Sequence, residues 1–172
     1  MTTTTFLQID LQTLFYEAKN KGQKIDFEKI WDHFNSRETE FLTKSIIYTV
    51  KSDDFNNSKF EAKLLSLGYE LKSKPPLKSI RDTNHSIGIT IDCIERINTF
   101  DKWILIANNG NFSDLCKYLK EKDKKTEIWS YKDCFDSSLE MYADKAYFID
   151  NSMFYYKKPQ IRVFGFNWGL PE

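Results

Sequence analysis

The chain has 172 residues, enough for one domain with a hydrophobic core and too few for two ordinary ones. Lysine plus arginine equals aspartate plus glutamate at 25 each, which excludes a net positive field as the basis of nucleic-acid binding and leaves only local patches for it. At 41% apolar and 16% aromatic residues, the composition also excludes a disordered chain.

Phe6 to Ile9 reads as a short buried strand ending at Asp10, and Leu11 to Asn20 follows as a helix with Leu11, Leu14, Phe15 and Ala18 at helical spacing. Asp26 caps a second helix, in which Phe27, Ile30, Trp31 and Phe34 recur every three or four residues. Lys44 to Val50 carries a β-rich run suited to a central strand. Phe55 to Leu67 is expected to be a helix that turns Phe60, Leu64, Leu65 and Leu67 inward and stops at Gly68, before a strand over Tyr69 to Lys72. Pro75 and Pro76 break this rhythm, and Leu77 to Ser86 reads as an exposed loop.

Ile87 to Ile97 resumes as a helix expected to bury Ile87, Ile91, Ile94 and Ile97. Trp103 to Ala107 (WILIA) is the most apolar short run and is assigned to the sheet centre. The turn Asn108 to Asn111 leads into a helix near Phe112 to Lys122, with Leu115, Tyr118 and Leu119 inward. A strand over Glu127 to Tyr131, a short helix over Ser137 to Ala143 and a final strand over Ala146 to Ile149 complete the pattern, followed by an aromatic, basic tail, Asn151 to Glu172. Strands alternating with helices imply a mostly parallel sheet covered on both faces, with functional residues at the carboxyl ends of the strands.

The opening MTTTTFLQID has no basic segment leading into a long apolar stretch, and no window approaches the ~18 apolar residues of a membrane span, so a cytoplasmic location away from membranes is expected. Cys93, Cys116 and Cys134 lie far apart with no CxxC pair, which favours buried apolar thiols over zinc ligands or disulfide halves. His33 is placed on a polar helical face and His85 in a loop, and neither is assigned a catalytic role.

Three separated segments, FLQIDLQTLFY, SIGITIDCIERI and WILIANNGNFSDL, together with the closing ADKAYFI, resemble in order and spacing the NYN (LabA-like) branch of the PIN-like ribonucleases, over roughly residues 6 to 150. The resemblance implies a three-layer, Rossmann-like α/β domain over 1–150, with 151–172 as an extension packed on that domain or on a partner. It further implies an acidic cluster at one end of the sheet that holds Mg²⁺ or Mn²⁺ and activates water against an RNA phosphodiester. Hard divalent cations prefer oxygen ligands, and a metal pair sits ~3.5–4 Å apart, so several carboxylates are needed.

Asp10 and Asp92 match the family's acids and are the candidate catalytic residues. Ser86 stands where the first helix Asp is expected, Asn109 and Asn111 stand where the turn's two Asp are expected, and Thr13 replaces an early Asn. Each Asp to Asn change keeps one carbonyl ligand but removes a full negative charge, so the resemblance implies at most one weakly held Mg²⁺ or Mn²⁺ among Asp10, Asp92, Asn109 and Asn111. Read alone, Asp10 is equally a helix N-cap, Asp92 a buried capping carboxylate, Asn109 and Asn111 ordinary turn residues, and Asp114 a solvated helical acid.

Single-stranded RNA has a candidate surface in Lys72, Lys74, Lys78 and Arg81 around the proline loop, with Lys157, Lys158 and Arg162 among the tail's aromatics. The same tail is suited to packing on its own domain, to a homodimer or to a protein partner. The expected function is a catalytically degenerate nuclease-fold protein acting through RNA or protein. An active but atypical metal-dependent ribonuclease and an interaction subunit of a larger complex are the alternatives.

Overall fold

The computed structural model describes residues 2–50, 55–75, 85–107, 112–132, 135, 137–149 and 154–157. Lys78, Arg81, Asn109, Asn111, Cys134, Lys158 and Arg162 lie outside the described residues, as do the side chains of Thr13 and Lys157.

Six parallel strands form the central sheet in the order β4-β3-β1-β5-β6-β7. These are β1 (Thr3–Asp10), β3 (Glu40–Val50), β4 (Glu70–Lys74), β5 (Lys102–Ile106), β6 (Lys125–Ser130) and β7 (Lys145–Phe148). β2 (Gln23–Ile25) and β8 (Tyr155–Lys157) make a separate antiparallel pair. The helices are α1 (Leu11–Asn20), α2 (Phe27–Asn35), α3 (Phe55–Ser66), α4 (Ser86–Glu95), α5 (Ser113–Glu121) and α6 (Ser137–Tyr142), with a 3-10 turn at Ile97–Thr99.

Side chains alternate across each strand, so the sheet feeds two cores. On one face Leu7, Ile9, Ile47, Ile104 and Ile106 pack with Leu14 of α1, Ile30 and Phe34 of α2 and Leu64 of α3. On the other, Phe6, Ile46, Trp103, Leu105 and Ile128 pack with Ile89 and Cys93 of α4, Leu115 and Leu119 of α5 and Leu139 of α6. β5 is buried along its whole length, as a central strand covered on both faces must be.

Local signals explain several boundaries. The Asp26 carboxylate accepts the amide of Lys29 at 3.1 Å and caps α2. Gly68 ends α3 at φ +99°, and a Cβ there would lie 2.6 Å from the Trp31 ring, so only glycine meets both the backbone angle and the space. Cys93 and Cys116 are buried free thiols in the second core.

Helix facing is where the sequence misleads. Ile87, Ile91 and Ile94 of α4 point outward, at 73%, 49% and 41% exposure, and Ile97 is only half-buried; Ser86, Ile89, Asp92 and Cys93 are buried instead. An isoleucine count favours the first face, but among the described residues Asp92 finds its hydrogen-bond partners on the sheet side, and those fix the rotation of the helix. In α1, Phe15 is exposed, since the row Leu11, Leu14, Ala18 already fills the sheet-facing stripe. In α3 only Leu64 is fully buried: Leu65 is exposed, Leu67 half-buried, and Phe60 lies at the rim, edge-on to Phe27 at 5.6 Å. The expected exposed loop fails at its end, because His85 is buried and Ser86 opens α4.

The β2–β8 pair was not expected from the sequence. Phe154, just before β8, is buried against Phe34, His33 and Trp129, and its carbonyl accepts the amide of Asp26.

Candidate site at the carboxyl end of the sheet

Parallel pairing puts Asp10 of β1, Tyr48 of β3 and Lys72 of β4 in one row across adjacent strands. All three occur near the carboxyl ends of their strands and face α4, where Asp92 completes the group. Asp10 and Asp92 are both buried, at 7% and 6% exposure.

Asp10 directly precedes α1, and its Oδ1 accepts the Gln12 amide at 3.2 Å. That is the capping geometry of a strand-to-helix corner. Asp92 is more completely engaged. The Tyr48 hydroxyl donates to its Oδ2 at 2.5 Å, and the Lys72 ammonium donates to its Oδ1. The Tyr48 oxygen in turn accepts Gln8 Nε2 at 2.5 Å, Gln8 also donates to the Ile89 carbonyl at 3.1 Å, and Trp103 Nε1 donates to Gln8 Oε1 at 2.7 Å. A hydrogen-bonded chain therefore runs from Trp103 in the sheet centre through Gln8 and Tyr48 to Asp92 and ends at Lys72. Burial, and then the Asp92 carboxylate, push the Tyr48 hydroxyl well above the ordinary tyrosine range, so it remains a proton donor.

His85 sits beside this chain at the start of α4, with its ring centroid 6.0 Å from that of Tyr48. It is 1% exposed, and neither ring nitrogen has a hydrogen-bond partner among the described residues. Burial, with the charge of Lys74 adding to it, lowers its pKa to about 4. The ring is neutral at physiological pH.

Sequence reasoning brought Asp10 and Asp92 to one end of the sheet, with Ser86 at the start of the helix that carries Asp92. It missed Gln8, Tyr48 and His85. Lys72, expected at the end of a strand, and Lys74, expected beside the proline loop, both belong to β4, and Lys72 is turned onto Asp92. Asp114 is exposed in the first turn of α5.

The described residues do not fit a pair of divalent cations. Such ions need several oxygen ligands with charge to offset their dehydration. Here both Asp92 oxygens already carry a donor from the protein. Among the described residues no group of three or more His, Cys, Asp or Glu side chains stands close enough to hold a metal.

A second charged cluster lies at the opposite, amino end of the sheet. Glu127, 2% exposed in its side chain, accepts from Arg37 at 2.7 and 3.0 Å, from Lys102 at 3.0 Å and from Trp129 Nε1 at 2.7 Å, while Glu40 pairs with Arg37 and Lys102. Arg37 Nη2 also lies 3.3 Å from His33 Nε2. Its charges are mutually compensated, and it ties α2 to three strands.

The model of the NYN domain family matches residues 4–152. The low amplitude and bright protein LabA of Synechococcus elongatus is similar at 26% identity over 132 residues, covering 71% of this chain and 70% of the relative. The crystal structure of a protein of unknown function from Vibrio parahaemolyticus superposes with a TM-score of 0.77 at 22% identity, over 90% of this chain and 97% of that one, a likeness of fold. No helix among the described residues is long and apolar enough to cross a membrane.

Proposed function

The chain belongs to the NYN domain family, and on that premise we propose that it binds single-stranded RNA at the carboxyl end of the sheet without cutting it, as a PIN-like nuclease fold that has lost its catalysis. The observation that carries this reading is the saturation of Asp92 by Tyr48 and Lys72. A carboxylate so occupied cannot also serve as a strong ligand for a hard dication, and the Asn and Ser replacements at 86, 109 and 111 remove the charge that would draw one in. Lys72 and Lys74, on one face of β4 beside the start of α4, supply the local positive charge that a balanced chain needs to hold phosphate.

The test incubates a labelled single-stranded RNA with the protein in Mg²⁺ or Mn²⁺ and reads both mobility and length. A shifted, full-length RNA supports the reading, with affinity falling as salt rises. Metal-dependent shortening that disappears in Asp10→Asn or Asp92→Asn establishes the active, atypical ribonuclease instead.

A second reading, an interaction subunit in the cytoplasm, is favoured by the isoleucine row that α4 leaves exposed, Ile87, Ile91 and Ile94. It predicts neither a shift nor cleavage.

A further inference from the structure

We propose that Lys72 is a resident cation: its ammonium takes over, at Asp92, the charge that a divalent metal would otherwise supply, and so makes the site's engagement of RNA phosphate independent of metal. This rests on the RNA-binding reading for its ligand, but not for its central claim about Asp92.

Placement is the first support. Lys72 is the register partner of Tyr48, and Tyr48 is the register partner of Asp10, so an ammonium, a phenol and a carboxylate stand side by side under α4. From the edge strand Lys72 reaches Asp92 Oδ1, while Tyr48 holds Oδ2 and is itself held by Gln8. The second support is balance of charge. Asp92 is buried and needs a positive partner, and Lys72 is its ion-pair partner among the described residues. The third is access: the Lys72 side chain is 38% exposed while that of Asp92 is 8% exposed, so the pair turns its cationic member to solvent. An ammonium has three donors, and those not used on Asp92 are available to a phosphate oxygen without any bridging ion.

Removing that ammonium should return Asp92 to the state of a vacant ligand. The experiment titrates Mn²⁺ by calorimetry into the wild-type chain, Lys72→Met, Lys72→Gln and the double variant Lys72→Met/Asp92→Asn, and records melting temperatures with and without about 1 mM Mn²⁺, the ionic strength of the metal-free samples being matched with NaCl. The expected result is no saturable binding by wild type, at least tenfold tighter Mn²⁺ binding in Lys72→Met or Lys72→Gln, and loss of that gain in the double variant. If loss of the ion pair loosens Lys72→Met, Mn²⁺ should raise its melting temperature while leaving wild type unmoved, because a ligand bound only by the native state stabilises it. Equal Mn²⁺ affinity in wild type and both Lys72 variants overturns the proposal. These readouts involve no RNA, so failure of RNA binding leaves them intact and failure here leaves the RNA-binding reading to its own test.

Discussion

The Tyr48 hydroxyl donates to Asp92 Oδ2 at 2.5 Å, joining the third strand to the helix that covers it. Because the same oxygen accepts Gln8 Nε2, the phenol satisfies two buried polar groups at once. Tyr48→Phe leaves both without this partner, and a buried polar group so abandoned costs about 1–3 kcal/mol. The expected outcome is a loss of about that size in urea unfolding, with the fold kept, since the ring still fills its place in the second core.

His85 gives the fold an acid sensitivity. Its folded-state pKa, about 4, lies below the roughly 6.5 of a histidine in an unfolded chain. A depressed pKa means that the unfolded state binds the proton more readily, so the stability from neutral His85 is complete above about pH 6.5 and is lost as pH falls towards 4. His33 acts in the same direction, lowered by burial and by Arg37. Urea midpoints measured between pH 8 and 4 should fall across that window, and the fall should be shallower in His85→Met. An unchanged slope in that variant contradicts the assignment.

Arg37→Met is expected to be severe and yet remote from RNA. Burial alone would raise the Glu127 pKa, but hydrogen bonds from Arg37 and Trp129 and the nearby cations outweigh it and hold the carboxyl below its usual range. Removing one partner of a buried pair typically costs about 3–5 kcal/mol. Thermal unfolding should therefore shift strongly, while the folded fraction retains wild-type RNA affinity because the cluster sits at the amino end of the sheet.

Restoring the acids tests the mapping of the site. In a Lys72→Met background, which frees Asp92, Ser86→Asp, Asn109→Asp and Asn111→Asp together should bind Mn²⁺ more tightly than Lys72→Met alone, read by calorimetry. If they add no affinity there, those positions do not face Asp10 and Asp92.

Much of the fold was legible because its signals are local. The alternation of short apolar strands with amphipathic segments, the Asp26 cap and the Gly68 stop each depend on neighbours in sequence. The rotation of α4 was not legible, because it depends on partners for Asp92 that come from β3 and β4, 44 and 20 residues away. The β2–β8 pair escaped for the same reason: three-residue strands carry little periodicity, and their partners lie at opposite ends of the chain. At the site, Asp10 and Asp92 could be named from the resemblance, whereas Tyr48 reads in sequence as one more strand aromatic. Only the register that sets it between Asp10 and Lys72 reveals what it does.

The most direct measurement is fluorescence anisotropy of a labelled single-stranded oligoribonucleotide with wild-type protein, in EDTA and again in millimolar Mn²⁺, with the RNA recovered and sized afterwards. The predicted result is saturable binding whose Kd differs by less than about twofold between the two conditions at matched ionic strength, with the RNA intact. Binding that requires Mn²⁺, or RNA that is shortened in its presence, would contradict a metal-independent, non-cleaving site.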